Sequence, residues 1–287
     1  MKKLKKGSVL ILDFGSQYTQ LIARRVRENN VYSEILPPNT SLDIIMSKNP
    51  KAIILSGGPA SVFTDDAPTF DENILNIEIP ILGICYGLHL LVHHNNGIVE
   101  STGEGEYGFA TIKINKLEGL CNNMSSSSKV WMSHMDQVTV IPKDWETIAH
   151  SSNNIVAALA NKDHTRIATQ FHPEVSHTEE GNILLNNFLF HISKCERNWT
   201  AGDFIKEQIT SLYENHLLKE VYNILYDDGE IEKGVTSDLL RPSRDMLDEW
   251  FHGRNELIKG IKLRLKRQNH FLKLKRILLL QVVLIIC

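Results

Sequence analysis

The sequence predicts an α/β fold built on a doubly wound, mostly parallel sheet with helices on both faces, followed by a helical C-terminal extension. Three observations support this prediction. Short apolar runs without polar interruption are typical of strands buried on both faces, and segments with helical spacing alternate with them along residues 8–95. Glycine or proline follows several of the runs, as expected where a strand ends in a loop.

The elements of the first half follow in order from the N-terminus. Residues 9–12 (VLIL) form the first predicted strand, and residues 17–27 have the apolar spacing of a helix. The next three predicted strands are residues 31–36, 52–55 and 79–82. This alternation predicts a parallel sheet whose helices connect successive strands.

Residues that can carry chemistry follow three of these strands. Asp13 follows the first strand, Gly57 and Gly58 follow residues 52–55, and Cys85 follows residues 79–82. Because the carboxyl ends of parallel strands meet at one edge of a sheet, we expect these residues to lie near one another there.

After residue 107 the pattern changes to shorter β-rich segments separated by polar turns. A helix with one apolar face is predicted over residues 179–192, and the domain is predicted to end near Cys195. The predicted strands of this half are residues 109–114, 130–132, 138–141, 155–159 and 167–171.

The charge of the chain is unevenly distributed. The 287 residues have a formal net charge of −3, but residues 259–287 hold eight basic residues and no acidic one, so the remainder carries −11. A mildly acidic body does not favour nucleic acid as the main partner. The apolar run at residues 277–286 is about half of the ~20 residues that span a bilayer, so membrane contact of the tail is not expected.

Cysteine usage favours a reducing, cytoplasmic compartment. The four cysteines, Cys85, Cys121, Cys195 and Cys287, are scattered without a CxxC pair or zinc-binding spacing. The basic N-terminus is followed by a short apolar run that ends at Asp13, which is not the pattern of a secretory signal.

Cys85 is the leading candidate for a catalytic nucleophile. It lies within residues 83–87 (GICYG), between a predicted strand and a predicted helix, which is the arrangement of a nucleophile elbow. The flanking glycines allow the backbone to bend sharply, and the N-terminus of the following helix favours thiolate over thiol. The alternative is an inert core cysteine, which is common within apolar runs.

A base and an orienting carboxylate stand far downstream, in residues 170–174 (QFHPE). In an extended segment, residues two apart project to the same side, so Glu174 is expected to reach the His172 ring and hold its tautomer. Asp163 and His164 are competing candidates, but they have the surroundings of turn residues. The sequence therefore predicts a triad of Cys85, His172 and Glu174.

Attack by a thiolate on an acyl group also needs donors for the developing oxyanion. The backbone N–H groups of Gly58, in residues 56–59 (SGGP), and of Tyr86 are the predicted donors. The alternative is that the two glycines form only a turn. A phosphate-binding Walker A loop is excluded here, because no Gly-Lys-Ser/Thr follows.

Three histidines after Cys85 suggest a metal site, since His89 and His93 are one helical turn apart and His94 is adjacent. No third ligand is apparent in the sequence, and histidines are common on helix surfaces. We therefore expect no metal.

These residues, at these spacings, resemble the class I glutamine amidotransferases, and within that family the amidotransferase domain of GMP synthases. The resemblance covers about residues 7–209, and the Ser-Gln-Tyr and Trp-Met-Ser-His elements indicate the GMP synthase type. The matching segments are residues 11–18 (ILDFGSQY), 55–62 (LSGGPASV), 83–87 (GICYG), 130–134 (VWMSH), 170–175 (QFHPEV), 177–178 and 195–200.

The resemblance implies a chemistry as well as a fold. It implies that Cys85 attacks the amide carbon of L-glutamine, that His172 delivers a proton to the departing ammonia, and that water then releases glutamate. In the family the ammonia passes to an ATP-dependent synthetase domain, where XMP is adenylylated and aminated to GMP. The glutamine contacts that it implies are Gly57, Gly58, His89, Ser133, His134 and Met135.

Three positions depart from the family's pattern. His89 replaces a glutamine that contacts the substrate, and because imidazole is shorter and differently directed we expect weaker glutamine binding. Met135 replaces a glycine, which costs about 1 kcal/mol or more if that glycine has a positive φ. Gly105 replaces an arginine and removes a charge.

We expect an amidotransferase domain at residues 7–195, a linker resembling that of GMP synthase at 196–209, and an unassigned tail at 210–287 without the synthetase (ATP pyrophosphatase) domain. No cofactor is expected in this chain, since ATP and Mg²⁺ belong to a synthetase domain or a separate synthetase subunit. Two other functions stay open: a regulatory or interaction protein that kept the fold with weakened catalysis, and a hydrolase of another γ-glutamyl amide. The oligomeric state is not indicated.

Overall fold

The computed structural model describes residues 8–200 and 202. The predicted tail at residues 210–287 lies outside this part of the chain. Within residues 8–200 a single mixed sheet of nine strands has helices on both faces, so the predicted α/β class is confirmed. No helix among these residues is long and apolar enough to cross a membrane.

The elements of residues 8–200 alternate between strand and helix in the first half and are mostly strands in the second. The strands are β1 Val9–Leu12, β2 Ser33–Leu36, β3 Ala52–Leu55, β4 Ile81–Ile84, β5 Ile98–Ile114, β6 Ser127–Val140, β7 Trp145–Ser151, β8 Val156–Asn161 and β9 Arg166–Thr169. The α-helices are α1 Thr19–Glu28, α2 Leu42–Ser47, α3 Tyr86–His94 and α4 Gly181–Asn186.

The sheet has a parallel half and an antiparallel half. Its strand order is β2-β1-β3-β4-β9-β8-β7-β5-β6. The first five strands in this order pair in parallel, and the pairings from β9 to β6 are antiparallel. The parallel half is the predicted doubly wound part, and β9 joins it to the other half.

The antiparallel half contains longer strands than the sequence predicted. The segments 130–132 and 138–141 both fall on β6, and 109–114 is the end of β5. β7, Trp145–Ser151, was not predicted at all. The apolar segments were the buried parts of strands whose other residues are exposed, so the hydrophobic pattern underestimated their length.

Each face of the sheet is covered by its own core cluster. In β1, Val9 and Ile11 pack in the cluster that contains the apolar residues of α1 and α4, whereas Leu10 and Leu12 pack in the cluster formed with α2 and α3. All four residues of β1 are fully buried. This two-sided burial explains the uninterrupted apolar runs.

The helix predicted over residues 179–192 is divided into two parts. α4 ends at Asn186, and Asn187–Ile192 continues as a π-helical segment. The buried Asn187 side chain donates hydrogen bonds to the carbonyl oxygens of Leu120 at 2.9 Å and Asn122 at 2.7 Å. These bonds fix the π-helical segment to the short 3₁₀ turn at Gly119–Cys121.

Two glycines allow the fourth strand and the third helix to pack closely. β4 extends to Ile84, two residues further than predicted, so it leads directly into Cys85. A Cβ atom on Gly83 would lie 2.5 Å from the carbonyl oxygen of Gly87, and one on Gly87 would collide with the carbonyl oxygen of Leu55 in β3. These positions have no space for a side chain.

We therefore predict that Gly87→Ala lowers the free energy of unfolding by at least about 2 kcal/mol, because the clash is with backbone that cannot turn aside. Chemical denaturation followed by tryptophan fluorescence measures the loss. Gly103→Ala is the matched control: Gly103 has φ +80° and no atom within 4 Å of the added Cβ, so only about 1 kcal/mol of backbone strain is expected. Equal losses in the two variants would contradict the packing argument.

Candidate active site

Two backbone hydrogen bonds bring the ends of three strands together at Cys85. The Cys85 N–H donates to the carbonyl oxygen of Thr169, at the end of β9, over 2.7 Å. The Gly87 N–H donates to the carbonyl oxygen of Ser56, just after β3, over 3.1 Å. The Gly57-Gly58 loop and Cys85 therefore lie at one edge of the sheet, as predicted.

Asp13 is at the same edge, but its side chain stabilises a loop. Its Oδ1 atom accepts hydrogen bonds from the Gly15 N–H at 2.9 Å and from the Thr19 hydroxyl at 2.7 Å. Asp13 thus orders the loop into α1, and it is not among the residues that line the cavity described below.

Cys85 occupies a strained backbone conformation. Its φ of +53° and ψ of −104° are rare for a residue with a side chain, and such conformations cost about 1–3 kcal/mol and concentrate at functional sites. Burial raises the pKa of the Cys121 and Cys195 thiols to about 12. Cys85 lines a cavity of about 580 Å³.

His172 and Glu174 form a buried pair beside Cys85. His172 Nδ1 lies 2.8 Å from Glu174 Oε1, and Glu174 is fully buried. Burial lowers the pKa of His172, but the Glu174 charge and the hydrogen bonds of the ring with Cys85 and Glu174 outweigh it and raise the pKa to about 10. A Cβ atom on Gly57 would lie 3.2 Å from His172 Cε1 and 3.6 Å from Cys85 Cβ, so both side chains pack against that glycine.

The contact between His172 and Glu174 arises from a turn rather than from an extended segment. β9 ends at Thr169, and residues 173–174 lie in a turn. The contact between the His172 and Glu174 side chains was therefore predicted correctly, but the extended backbone from which it was predicted is wrong.

Three hydrogen bonds fix this turn, two of them with other elements. Arg25 in α1 donates to the Glu174 carbonyl oxygen at 2.9 Å, and the Thr178 hydroxyl donates to that of His172 at 2.6 Å. The His172 N–H in turn donates to the Trp131 carbonyl oxygen in β6 at 3.1 Å. The competing candidate His164 lies in another turn, with Nε2 3.4 Å from Glu146 Oε1.

Ser56 holds the loop that carries Gly58, one of the two predicted oxyanion donors. The buried Ser56 hydroxyl accepts from the Phe14 N–H at 2.9 Å and donates to the Gly57 carbonyl oxygen at 2.8 Å. Tyr86 is the first residue of α3, so its N–H has no acceptor within the helix. Its phenol donates to the Pro68 carbonyl oxygen at 2.8 Å, which leaves the backbone as the part of Tyr86 beside Cys85.

The cavity collects most of the predicted site residues and adds several others. Gly57, Tyr86 and Glu174 are the predicted site residues that do not line it. Asp136, Tyr107 and Ser61 line it without having been assigned roles from the sequence. The lining residues are Gly15, Ser16, Gln17, Tyr18, Gly58, Pro59, Ala60, Ser61, Cys85, His89, Tyr107, Ser133, His134, Met135, Asp136 and His172. Asp136 follows the Ser133-His134 motif closely in sequence, and this proximity could have identified it as a site residue.

His89 lines the cavity but is bonded to another protein side chain. Its Nε2 atom lies 2.9 Å from Gln170 Oε1, and burial lowers the pKa of His89 to about 4, so the ring is neutral at pH 7. No group of three or more His, Cys, Asp or Glu side chains within the described residues is placed to hold a metal ion.

His134 is also engaged by protein groups. Its Nδ1 atom lies 2.9 Å from the Asp136 carbonyl oxygen, and its Nε2 atom lies 3.5 Å from Glu106 Oε2. Burial lowers the pKa of His134. Glu106 accepts hydrogen bonds from the Ser151 hydroxyl and the Asn153 amide, each at 2.8 Å.

The strain considered for Met135 does not arise. Met135 lies within β6 and is not among the described residues with positive φ, because the strand is extended at this point. Its side chain is 45% exposed at the mouth of the cavity. Ser133 contributes a carbonyl oxygen 3.7 Å from Cys85 Sγ.

Comparisons with known proteins show which proteins this chain resembles. The family model for glutamine amidotransferase class-I matches residues 10–192. The chain is 49% identical over 232 residues to GMP synthase [glutamine-hydrolyzing] of Brachyspira hyodysenteriae, which covers 81% of this chain and 45% of that protein. It is 49% identical over 211 residues to the Campylobacter jejuni enzyme of the same name, covering 74% and 41%. The chain thus spans less than half the length of these curated relatives.

A solved structure shows the same likeness. The crystal structure of a Thermoplasma acidophilum protein, described as one subunit of GMP synthase, superposes with a TM-score of 0.58 at 27% identity, covering 64% of this chain and 93% of that one. The crystal structure of SMU.1228c, at 16% identity and a TM-score of 0.53, shares the fold.

We predict that His89 makes the protein less stable in mild acid. The pKa of His89 is lowered from 6.5 to about 4, so the unfolded chain takes up a proton below pH 6.5 that the folded chain takes up only near pH 4. Stability attributable to His89 therefore falls as the pH drops from 6.5 to 4, by up to about 3 kcal/mol. Denaturation midpoints at pH 7 and pH 4.5 measure this loss.

His89→Gln removes the titrating group and is expected to reduce the acid-induced loss relative to the unmodified protein. His177→Gln, which changes an exposed imidazole, is the control and should preserve that loss. If His89→Gln and His177→Gln respond identically to acid, the buried neutral state of His89 is refuted.

Proposed function

The chain belongs to the class I glutamine amidotransferase family, and on that premise we propose that Cys85, His172 and Glu174 form a triad that hydrolyses L-glutamine to glutamate and ammonia. The observation that carries the proposal is the position of Cys85. It sits at a strained turn between β4 and α3 and lines the same cavity as His172, whose ring Glu174 holds from the other side. This is the arrangement of an activated nucleophile with an oriented base.

In the first step the Cys85 thiolate attacks the amide carbon of glutamine, and the carbonyl oxygen becomes an oxyanion. The N–H groups of Gly58 and Tyr86 are proposed to donate to that oxygen, since Gly58 lines the cavity and the Tyr86 N–H is the free helix N-terminal donor directly after Cys85. The imidazolium of His172 then gives its proton to the departing nitrogen, which leaves as ammonia, and a thioester remains.

In the second step water attacks the thioester. The neutral His172 accepts a proton from the water, glutamate departs, and the sulfur returns to its starting state. Glu174 holds the imidazolium and its tautomer throughout, and its burial keeps water away from the pair. Asp136 and the backbone of Ser133, both on β6, are proposed to receive the α-amino and carboxylate end of glutamine.

The ammonia is proposed to serve the ATP-dependent amination of XMP to GMP. Support comes from the names of the relatives that this chain resembles at 49% identity, and from the likeness to the Thermoplasma protein, whose name describes one subunit of GMP synthase. We propose that an ATP pyrophosphatase part, with ATP and Mg²⁺, acts on XMP as a partner of this domain in the cytoplasm. No cofactor is required for the glutamine half-reaction proposed above.

Glutamate release from L-glutamine tests the proposal, measured with and without a GMP synthetase subunit supplied with ATP, Mg²⁺ and XMP. We predict that Cys85→Ala abolishes the release, because no other thiol reaches the cavity within the described residues. An electrophilic glutamine analogue should label Cys85 alone. Cys121→Ala, a buried cysteine away from the cavity, should retain turnover. Absence of glutamate release in both conditions would refute the proposal.

We predict that Glu174→Gln lowers kcat by about 10²-fold or more at pH 7, because an amide cannot stabilise the imidazolium of His172. Without the Glu174 charge, the pKa of His172 falls from about 10, so the proton donor is depleted as the pH rises through the neutral range. Steady-state kinetics from pH 6 to 9 measure both effects. Glu179→Gln is the control, since Glu179 is exposed and pairs with Lys129 at 4.0 Å; a similar loss there would argue against the assigned role of Glu174.

One observation favours a second candidate, a regulatory protein with weakened catalysis. The His89 ring is bonded to Gln170 and does not present an amide to the cavity. The turnover assay separates the two, because a regulatory protein would show an intact fold and no measurable glutamine saturation.

A further inference from the structure

A buried amide lies between Cys85 and His89. Gln170 follows β9 directly and is fully buried. Its Nε2 atom lies 3.9 Å from Cys85 Sγ, and its Oε1 atom lies 2.9 Å from His89 Nε2. The side chain therefore connects the first turn of α3 to the sulfur through a hydrogen-bonded chain.

The group that bonds to one end of the Gln170 amide determines whether a hydrogen-bond donor or an acceptor faces the sulfur at the other end. His89 is neutral at pH 7, because burial lowers its pKa to about 4, so its ring carries one N–H. The ring also interacts with the Asp136 backbone, but Gln170 Oε1 faces His89 Nε2 and the amide NH₂ group faces the sulfur, and in this orientation the ring N–H is on Nε2 and donates to Oε1. The reverse orientation would place an acceptor against the thiolate.

Cys85 Sγ therefore lies between an acceptor, which favours the neutral thiol, and a donor, which favours the thiolate. The Ser133 carbonyl oxygen, 3.7 Å away, accepts a hydrogen bond only from a protonated thiol. The Gln170 amide donates, and a donor stabilises the charged sulfur more than the neutral one. The titratable groups that line the cavity with the sulfur come from five parts of the fold: Tyr18 from the loop before α1, His89 from α3, Tyr107 from β5, His134 and Asp136 from β6, and His172 from the loop after β9.

We propose that Gln170 is a positioning residue that donates a hydrogen bond to the Cys85 thiolate, and that His89 fixes the orientation of the Gln170 amide. The proposal rests on the proposed function in that Cys85 is the nucleophile. It gives His89 a role other than substrate contact: at the position of the family's glutamine, the ring orients the amide of Gln170, which follows β9.

The test is the pH dependence of alkylation of Cys85 by iodoacetamide in the full chain, with the site of modification located by peptide mass spectrometry. Gln170→Leu, which keeps the volume and removes the donor, is expected to move the midpoint of the alkylation profile to higher pH by about one unit. The rate below the midpoint should then fall about tenfold. Gln170→Met, which also removes the donor at similar volume, should move the midpoint in the same direction and serves if the leucine variant does not fold.

The role of His89 is tested by two further variants. His89→Leu removes the ring and should shift the profile upward, whereas His89→Gln retains a donor and should stay within a factor of about two of the original rate. Asn187→Leu is the control for burial: it removes an amide that makes two hydrogen bonds far from the cavity and should not shift the profile.

The outcomes are decisive in either direction. An unchanged profile in a folded Gln170→Leu protein, or a shift to lower pH, would overturn the proposal, the latter because it would show that the amide oxygen faces the sulfur. The assay needs no glutamine, so a chain that alkylates as expected but releases no glutamate would refute the proposed function and leave the role of Gln170 standing.

Discussion

The backbone of Cys85 is the constraint on which the site depends. The Cys85 N–H donates a hydrogen bond to the Thr169 carbonyl oxygen, and the Gly87 N–H donates one to that of Ser56. Together they hold Cys85 at a positive φ that the residue would not adopt alone. The same two bonds set the ends of β3, β4 and β9 against one another. The nucleophile, the glycine loop and the strand that leads to the base are therefore positioned together, and strain in the turn is offset by packing that leaves no room for side chains at Gly83 and Gly87.

Much of this could be predicted from the sequence, because the parallel half of the sheet is buried on both faces. Two-sided burial requires uninterrupted apolar runs, and the runs at β1 and β3 gave those strands their observed bounds. The gathering of Gly57, Gly58 and Cys85 at one edge followed from topology, since the carboxyl ends of parallel strands meet there. The antiparallel half was harder: β7 has mixed polarity and register shifts against β8, so no simple period marks it.

Where the prediction failed, a distant part of the chain decided the geometry. The turn of His172 and Glu174 is fixed by Arg25 in α1 and Trp131 in β6, which local periodicity cannot reveal. Gly105 is a similar case. A side chain there would collide with the carbonyl oxygen of His134, at the register shift between β5 and β6, so the loss of the family's arginine accompanies a close approach of two backbones.

His89 shows why a substitution in a motif cannot be interpreted from the motif alone. From the sequence it replaced a substrate-binding amide with a ring of different reach. In the structure the ring is neutral, buried and bonded to Gln170, whose own amide lies next to the sulfur. Because a buried polar group must be satisfied, the change at one position fixes the orientation of a side chain 81 residues away. The departure therefore bears on the reactivity of the nucleophile as well as on the fit of the substrate.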